Sequence, residues 1–130
     1  MSSETGARAA TRKSEGIVRA TTAEALVRFL KAQWSERDGV QHRVFAGVFG
    51  ILGHGNACGL GQALDEYGGG DLPFYQGKNE QAMVHAAIGY AKASNRLSML
   101  ACTASIGPGS TNMLTGAATE PVDRRSCRSR

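Results

Sequence analysis

Residues 44–52 read Val44-Phe45-Ala46-Gly47-Val48-Phe49-Gly50-Ile51-Leu52, apolar or glycine at every position. A strand with one wet face alternates apolar and polar residues, whereas one without alternation needs cover on both faces. Helices flanking a parallel sheet provide that cover, and the rest of the chain supplies helices and strands in a suitable order. The loop Gly53-His54-Gly55-Asn56 comes next, then a helical segment, ACGLGQALDEY, that ends at the triple glycine 68–70. LPFYQG reads as a second strand, followed by a helix that opens at Glu80 and closes at ASN. LSMLACTAS is a third strand, with Gly107-Pro108-Gly109 and a helix start at STNMLTGAA behind it. One helix precedes all of this, TAEALVRFLKAQW, opened by a capping box between Thr21 and Glu24. Its periodicity places Ala25, Leu26, Phe29 and Leu30 on one apolar face. The stretch after it, SERDGVQHR, reads as a polar turn. The expected fold is α/β: a parallel sheet with helices on both faces and right-handed crossovers.

A chain of 130 residues with 42% hydrophobic content suffices for one modest core. No apolar run nears the ~18 residues of a membrane span, and no apolar stretch near the N-terminus resembles a secretory signal. The cytoplasm is the expected location. Formal net charge is +4, and its distribution decides what it means. Residues 1–20 carry four basic and two acidic side chains, residues 120–130 the same, and residues 21–119 seven of each. The excess sits in a leader and a tail, so no basic face is implied and nucleic acid is disfavoured as a partner. The leader, 1–20, reads as disordered. Cys58, Cys102 and Cys127 form no Cys-x-x-Cys, and His42, His54 and His85 show no ligand spacing, so no metal site is expected. Cys58 and Cys102 read as small packing residues, and His85 as a hydrogen-bonded core histidine.

Ligands of such folds bind at the carboxyl ends of the strands. Three loops gather there: GHGN after the first strand, QGKNE after the second and SIGPGSTN after the third. Glu80 lies in the second loop, at the start of a small-residue helix expected to be buried on several sides. An acid there interacts favourably with the helix dipole, by about 0.3–1 kcal/mol, which explains many such residues without any chemistry. With Asn79 as N-cap the third helical residue is Ala82, so Glu80 belongs to no capping box. Glycine is in excess, 17 residues, clustered between Gly47 and Gly77 and at Gly107, Gly109 and Gly116. Neither cluster fits a nucleotide fingerprint. Gly53, Gly55 and Gly59 are spaced one residue too widely for a dinucleotide loop, and Gly77-Lys78 is followed by Asn79 rather than Ser or Thr.

The segment NEQAMVHAAIGYA resembles the signature of the pyrimidine-binding domain of thiamine diphosphate enzymes of the acetolactate synthase-like superfamily, and SIGPGSTN resembles the same domain's GPG-x-x-N turn. Over residues 21–118 the chain is similar to the acylhydrolase family that opens a trihydroxycyclohexane-1,2-dione ring in myo-inositol catabolism. The resemblance implies that Glu80 is the carboxyl group contacting the cofactor's aminopyrimidine and promoting loss of a proton from a weak carbon acid. An apolar, partly dry position would favour its neutral form. Gln81 then contacts cofactor or a subunit interface, and Gly107, Pro108, Gly109 and Asn112 shape the turn beside the cofactor, with a purely backbone role equally open. His54 and Asn56 either line the substrate pocket or simply form a tight turn.

The resemblance implies more than this chain holds. Diphosphate and magnesium (Mg2+) bind a separate domain through a GDG…N motif that these residues lack, and subunits pair so that the two halves meet in a homo-oligomer. The expected domain, 21–119, is thus an incomplete pyrimidine-binding domain, inactive alone, whose enzyme acts on a small cyclic dione with neither nucleic acid nor membrane as partner. Two alternatives stand beside it: an acetolactate synthase-like lyase, and a non-catalytic module that associates with a partner. The tail EPVDRRSCRSR carries Arg and Ser where relatives enter another apolar strand. Charged residues cannot pack there unpaired, and the tail is expected to be a frameshift product.

Overall fold

The computed structural model describes residues 17–118; most of the leader, the tail and Cys127 lie outside the described residues. Helix α1 spans Thr22–Lys31. Its capping box is present: the Thr21 hydroxyl accepts from the Glu24 N–H and the Glu24 carboxylate from the Thr21 N–H, both at 3.2 Å. The buried face differs from the expected one. Val27 and Leu30 are buried with Ala23 beside them, while Leu26 and Phe29 are 44% and 57% exposed. Apolar residues cover more than half of this helix's circumference, so periodicity alone leaves its rotation open by roughly a quarter turn. Docking on the segment 62–67 decides it.

The expected polar turn is a β-hairpin. Strand β1 (Trp34–Arg37) pairs antiparallel with β2 (Val40–Arg43), from Trp34 opposite Arg43 to Arg37 opposite Val40. The two-residue turn has φ of 56° at Asp38 and 77° at Gly39, and Asp-Gly is a pair that tolerates such angles and matches the twist of the strands. Arg43 anchors the hairpin. Its guanidinium lies 4.6 Å from the Trp34 ring centre, pairs with Asp71 at 3.2 Å and donates to the Lys31 carbonyl at 3.3 Å.

Strand β3 (Phe45–Gly50) is the centre of a parallel sheet between β4 (Phe74–Gln76) and β5 (Met99–Thr103). Val48 stands opposite Phe74 on one side and Ala101 on the other. On that face Val48 joins Val27, Leu30, Ala63, Leu64 and Leu72 in the main core. The opposite face is covered by α3 (Glu80–Ala93) through Met83, Val84 and Ala87, with the Cys102 thiol 3.9 Å from the Met83 carbonyl. Helices on both faces thus explain the missing alternation in β3.

The segment 57–67 is not one regular helix. A π-helical turn at Ala57–Gly61 precedes α2 (Gln62–Tyr67), closed by the Gly61 N–H donating to the Asn56 carbonyl at 2.9 Å. Cys58, on this turn, is exposed rather than packed, whereas Cys102 is half-buried as a packing residue, and burial pushes its thiol pKa up. Helix α3 begins at Glu80, with the Asn79 side chain accepting from the Ala82 N–H at 2.9 Å. It is buried on one face only, so His85 is exposed and is not a core residue. The reason is positional: the sheet takes the Met83–Ala87 face, and His85 falls a half turn away. The last helix, α4 (Pro108–Ala117), starts at Pro108 rather than at Ser110. Proline suits a first helical position, where its missing N–H costs nothing. Among the described residues no helix is long and apolar enough to cross a membrane.

Candidate functional site

Parallel strands carry their loops to one edge, and here the three loops meet. Glu80 is the first residue of α3, where the Asn79 cap fixes the direction of the helix. Its Oε2 accepts from the Asn112 amide of α4 at 2.9 Å. Its Oε1 faces Gly109: a Cβ at that glycine would stand 2.8 Å from the oxygen, closer than real side chains approach. The carboxylate therefore sits at the starts of two helices with the neutral Asn112 amide donating to it. Glycine at 109 is what leaves room for Oε1 there.

The residue is half-buried, but the carboxyl end lies open. Its pKa is lowered, first by the Asn112 hydrogen bond and second by its own backbone N–H, with desolvation opposing. The expected bias toward the neutral acid is therefore reversed in this chain. Nothing among the described residues encloses the group enough for burial to outweigh two donors.

Gly107, Pro108 and Gly109 form the turn into α4. Gly107 has φ 70°, which a side chain rarely adopts, and its carbonyl accepts from the Thr111 hydroxyl at 3.2 Å. The Ser110 hydroxyl donates to the Ser105 carbonyl at 2.7 Å and closes the turn. Ser105 and Ser110 were not singled out by sequence reasoning. For Ser110 the signal was a serine in the first turn of a helix, a position that favours such local bonds. Gln81 lies at the seam between α3 and α4, where a Cβ on Gly116 would come within 3.2 Å of its Cγ.

In the first loop the Asn56 amide points inward. Its oxygen accepts from the Gly53 N–H at 2.7 Å and its nitrogen donates to the Ala104 carbonyl at 3.1 Å. His54 is exposed at the tip, beside Gly55. The sequence-predicted residues Glu80, Gly107, Pro108, Gly109 and Asn112 are thus brought together, Asn56 joins the first loop to Ala104, Gln81 packs behind them, and His54 stands outside.

Clefts elsewhere do not include the carboxylate. One of about 420 Å³ lies beside the hairpin, lined by Arg37, Asp38, Val40, His42, Asn95 and Leu97. Another of about 370 Å³ lies between α1 and α2, with Cys58 on its wall. Among the described residues no three of His, Cys, Asp and Glu converge as metal ligands.

Residues 20–126 match the family model for the thiamine pyrophosphate enzyme, N-terminal TPP binding domain. Among curated proteins the chain is 56% identical over 102 residues to the 3D-(3,5/4)-trihydroxycyclohexane-1,2-dione hydrolase of Bacillus thuringiensis (strain Al Hakam). The same identity and length hold for the hydrolases of that name from Bacillus cereus (strain 03BB102) and Bacillus anthracis (strain A0248). Each alignment covers 78% of this chain but 16% of the relative, so the chain spans about a sixth of the length of these enzymes. No solved structure matches.

Proposed function

Since the chain belongs to the thiamine pyrophosphate enzymes, as their N-terminal TPP-binding domain, we propose that residues 21–119 are the pyrimidine-binding part of an enzyme that opens a trihydroxycyclohexane-1,2-dione ring. The observation that carries this reading is the Glu80 carboxylate on the carboxyl edge of a parallel sheet, with Oε2 held by Asn112 and Oε1 beside Gly109. The 56% identity to the dione hydrolases supports the substrate class.

The residues fit the pyrimidine end of thiamine diphosphate. A single carboxyl group can exchange a hydrogen bond with a ring nitrogen, and a glycine keeps the space beside it clear. Glu80 would hold that end, flanked by the turn Gly107–Pro108–Gly109. Bound thiamine diphosphate supplies a nucleophilic carbon for attack on a ketone and cleavage of the neighbouring carbon–carbon bond. The chain's own part is to place one proton. Asn112 donates to Oε2, so a proton on Glu80 belongs on Oε1, the oxygen facing Gly109. In the open domain Asn112 favours the ionised form. Covering the site would raise the desolvation cost of the charge and shift the balance toward the acid. Protonation of Glu80 is therefore conditional on closure by another part of a longer enzyme. On the same reading that part carries the diphosphate and its magnesium, and a homo-oligomer brings the two halves together. His54, exposed at the loop tip, is free to meet the substrate.

The test is a chimera in which this chain replaces the matching segment of the Bacillus cereus dione hydrolase. Ring opening should be retained, and Glu80→Gln should reduce turnover by about 10²–10⁴, the usual worth of a positioned acid–base group. A folded Gln chimera with undiminished turnover would remove Glu80 from this role.

A further inference from the structure

The side chain of Asn56 is committed on both sides. Its Oδ1 accepts from the Gly53 N–H at 2.7 Å, closing its own loop, and its Nδ2 donates across 48 positions to the Ala104 carbonyl at 3.1 Å. One of the two N–H donors and the oxygen are thus spent inside the protein, which fixes the orientation of the amide. Its backbone is held as well, because the Asn56 carbonyl takes the Gly61 N–H that closes the π-helical turn. The two loops also abut, since a Cβ on Gly53 would fall 2.7 Å from the Ser105 Cβ.

From Ala104 the contacts run directly toward the carboxylate. Ser105 follows Ala104, and its carbonyl receives the Ser110 hydroxyl at 2.7 Å. Ser110 lies between Gly109 and Asn112, the two α4 residues that face Glu80. We propose that Asn56 is a positioning residue for Glu80: it ties the loop after β3 to the loop after β5 and so holds α4 where Gly109 and Asn112 meet the carboxylate. This rests on the reading of Glu80 as the working carboxylate, but the coupling itself is measurable without turnover.

The experiment is carbon and nitrogen NMR on the whole 130-residue chain, following the Glu80 carboxyl titration and the Asn112 side-chain amide. In Asn56→Ala the Asn112 amide resonances should shift, and the Glu80 midpoint should move up toward the ordinary carboxylate range. A folded Asn56→Ala chain with both signals unchanged overturns the proposal. Should that variant fail to fold, Asn56→Asp retains the acceptor for Gly53 and loses only the donor to Ala104. It is read on the Asn112 amide alone, because a charge at 56 would itself shift Glu80; an unmoved Asn112 amide again overturns the proposal. His54→Ala, in the same loop without such bonds, should leave both signals in place. Coupling present together with an active Glu80→Gln chimera would instead refute the cofactor reading and leave the Asn56 brace standing.

Discussion

Replacing Gly109 by alanine should separate stability from site geometry. Gly109 is the second residue of α4, in helical conformation, so alanine there reduces the freedom of the unfolded chain and stabilises by about 0.4–1 kcal/mol where it fits. In a domain of this size that is an upward shift of roughly 2–8 °C in Tm. The new Cβ would stand 2.8 Å from Glu80 Oε1 and 3.5 Å from its Cδ, whereas ordinary contact begins at 3.4 Å. The helix backbone is fixed by its own bonds, and the carboxyl end of Glu80 is free to swing. The side chain yields, and Oε1 must retreat by at least about 0.6 Å, loosening the bond to Asn112. Misplacement on the order of 1 Å at a reacting group can cost about 10²-fold in rate. Gly109→Ala should thus melt at the same or a higher temperature while its Glu80 and Asn112 NMR signals shift. In the chimera it should lower turnover by about 10- to 100-fold. A variant whose Glu80 and Asn112 signals match the parent would show that the carboxylate does not lie against residue 109, and the argument for glycine there would fail.

Two further perturbations follow from the same contacts. Glu80 titrates below its ordinary range, so its bonds stabilise the folded chain above the unfolded-state pKa of about 4.3 and are lost as pH falls through the lower folded-state value. Asn112→Ala removes the largest cause of that lowering, so urea unfolding should show less loss of stability on acidification than in the parent; an identical pH dependence would contradict the assignment. Leu72, 1% exposed in the core between α1, α2 and the sheet, should cost about 2–5 kcal/mol as Leu72→Ala. Its core lies on the face opposite α3, so the Glu80 titration of the folded fraction should not move; a shift would mean that the two faces are coupled.

Much of the architecture was legible because burial leaves its trace in residue type. Nine consecutive positions without a polar side chain, 44–52, fit a strand covered on both faces, and β3 between α1–α2 and α3 is that strand. Asn79 ahead of Glu80 marked the start of α3 correctly, since a cap is a bond between residues three apart. The failures share a cause. SERDGVQHR lacks an apolar alternation and so reads as a turn, whereas its strands are held by Arg43 reaching Asp71 and Trp34. The α1 face and the exposure of His85 depend on which side of a helix its neighbours occupy, which no local pattern states.

By itself, then, the chain's own order of residues determined the α/β alternation, the starts of α1 and α3, and the placing of Glu80, Gly109 and Asn112 near one edge of the sheet. Tertiary structure alone decided what those residues do to one another. The Glu80–Asn112 bond joins residues 32 apart and the Asn56–Ala104 bond residues 48 apart. Whether Glu80 is charged follows from the first of these and from the absence of cover among the described residues. Local sequence sets backbone conformation through forces acting over a few residues, whereas the charge on a carboxyl group is set by whatever donors and dielectric the packed helices bring to it.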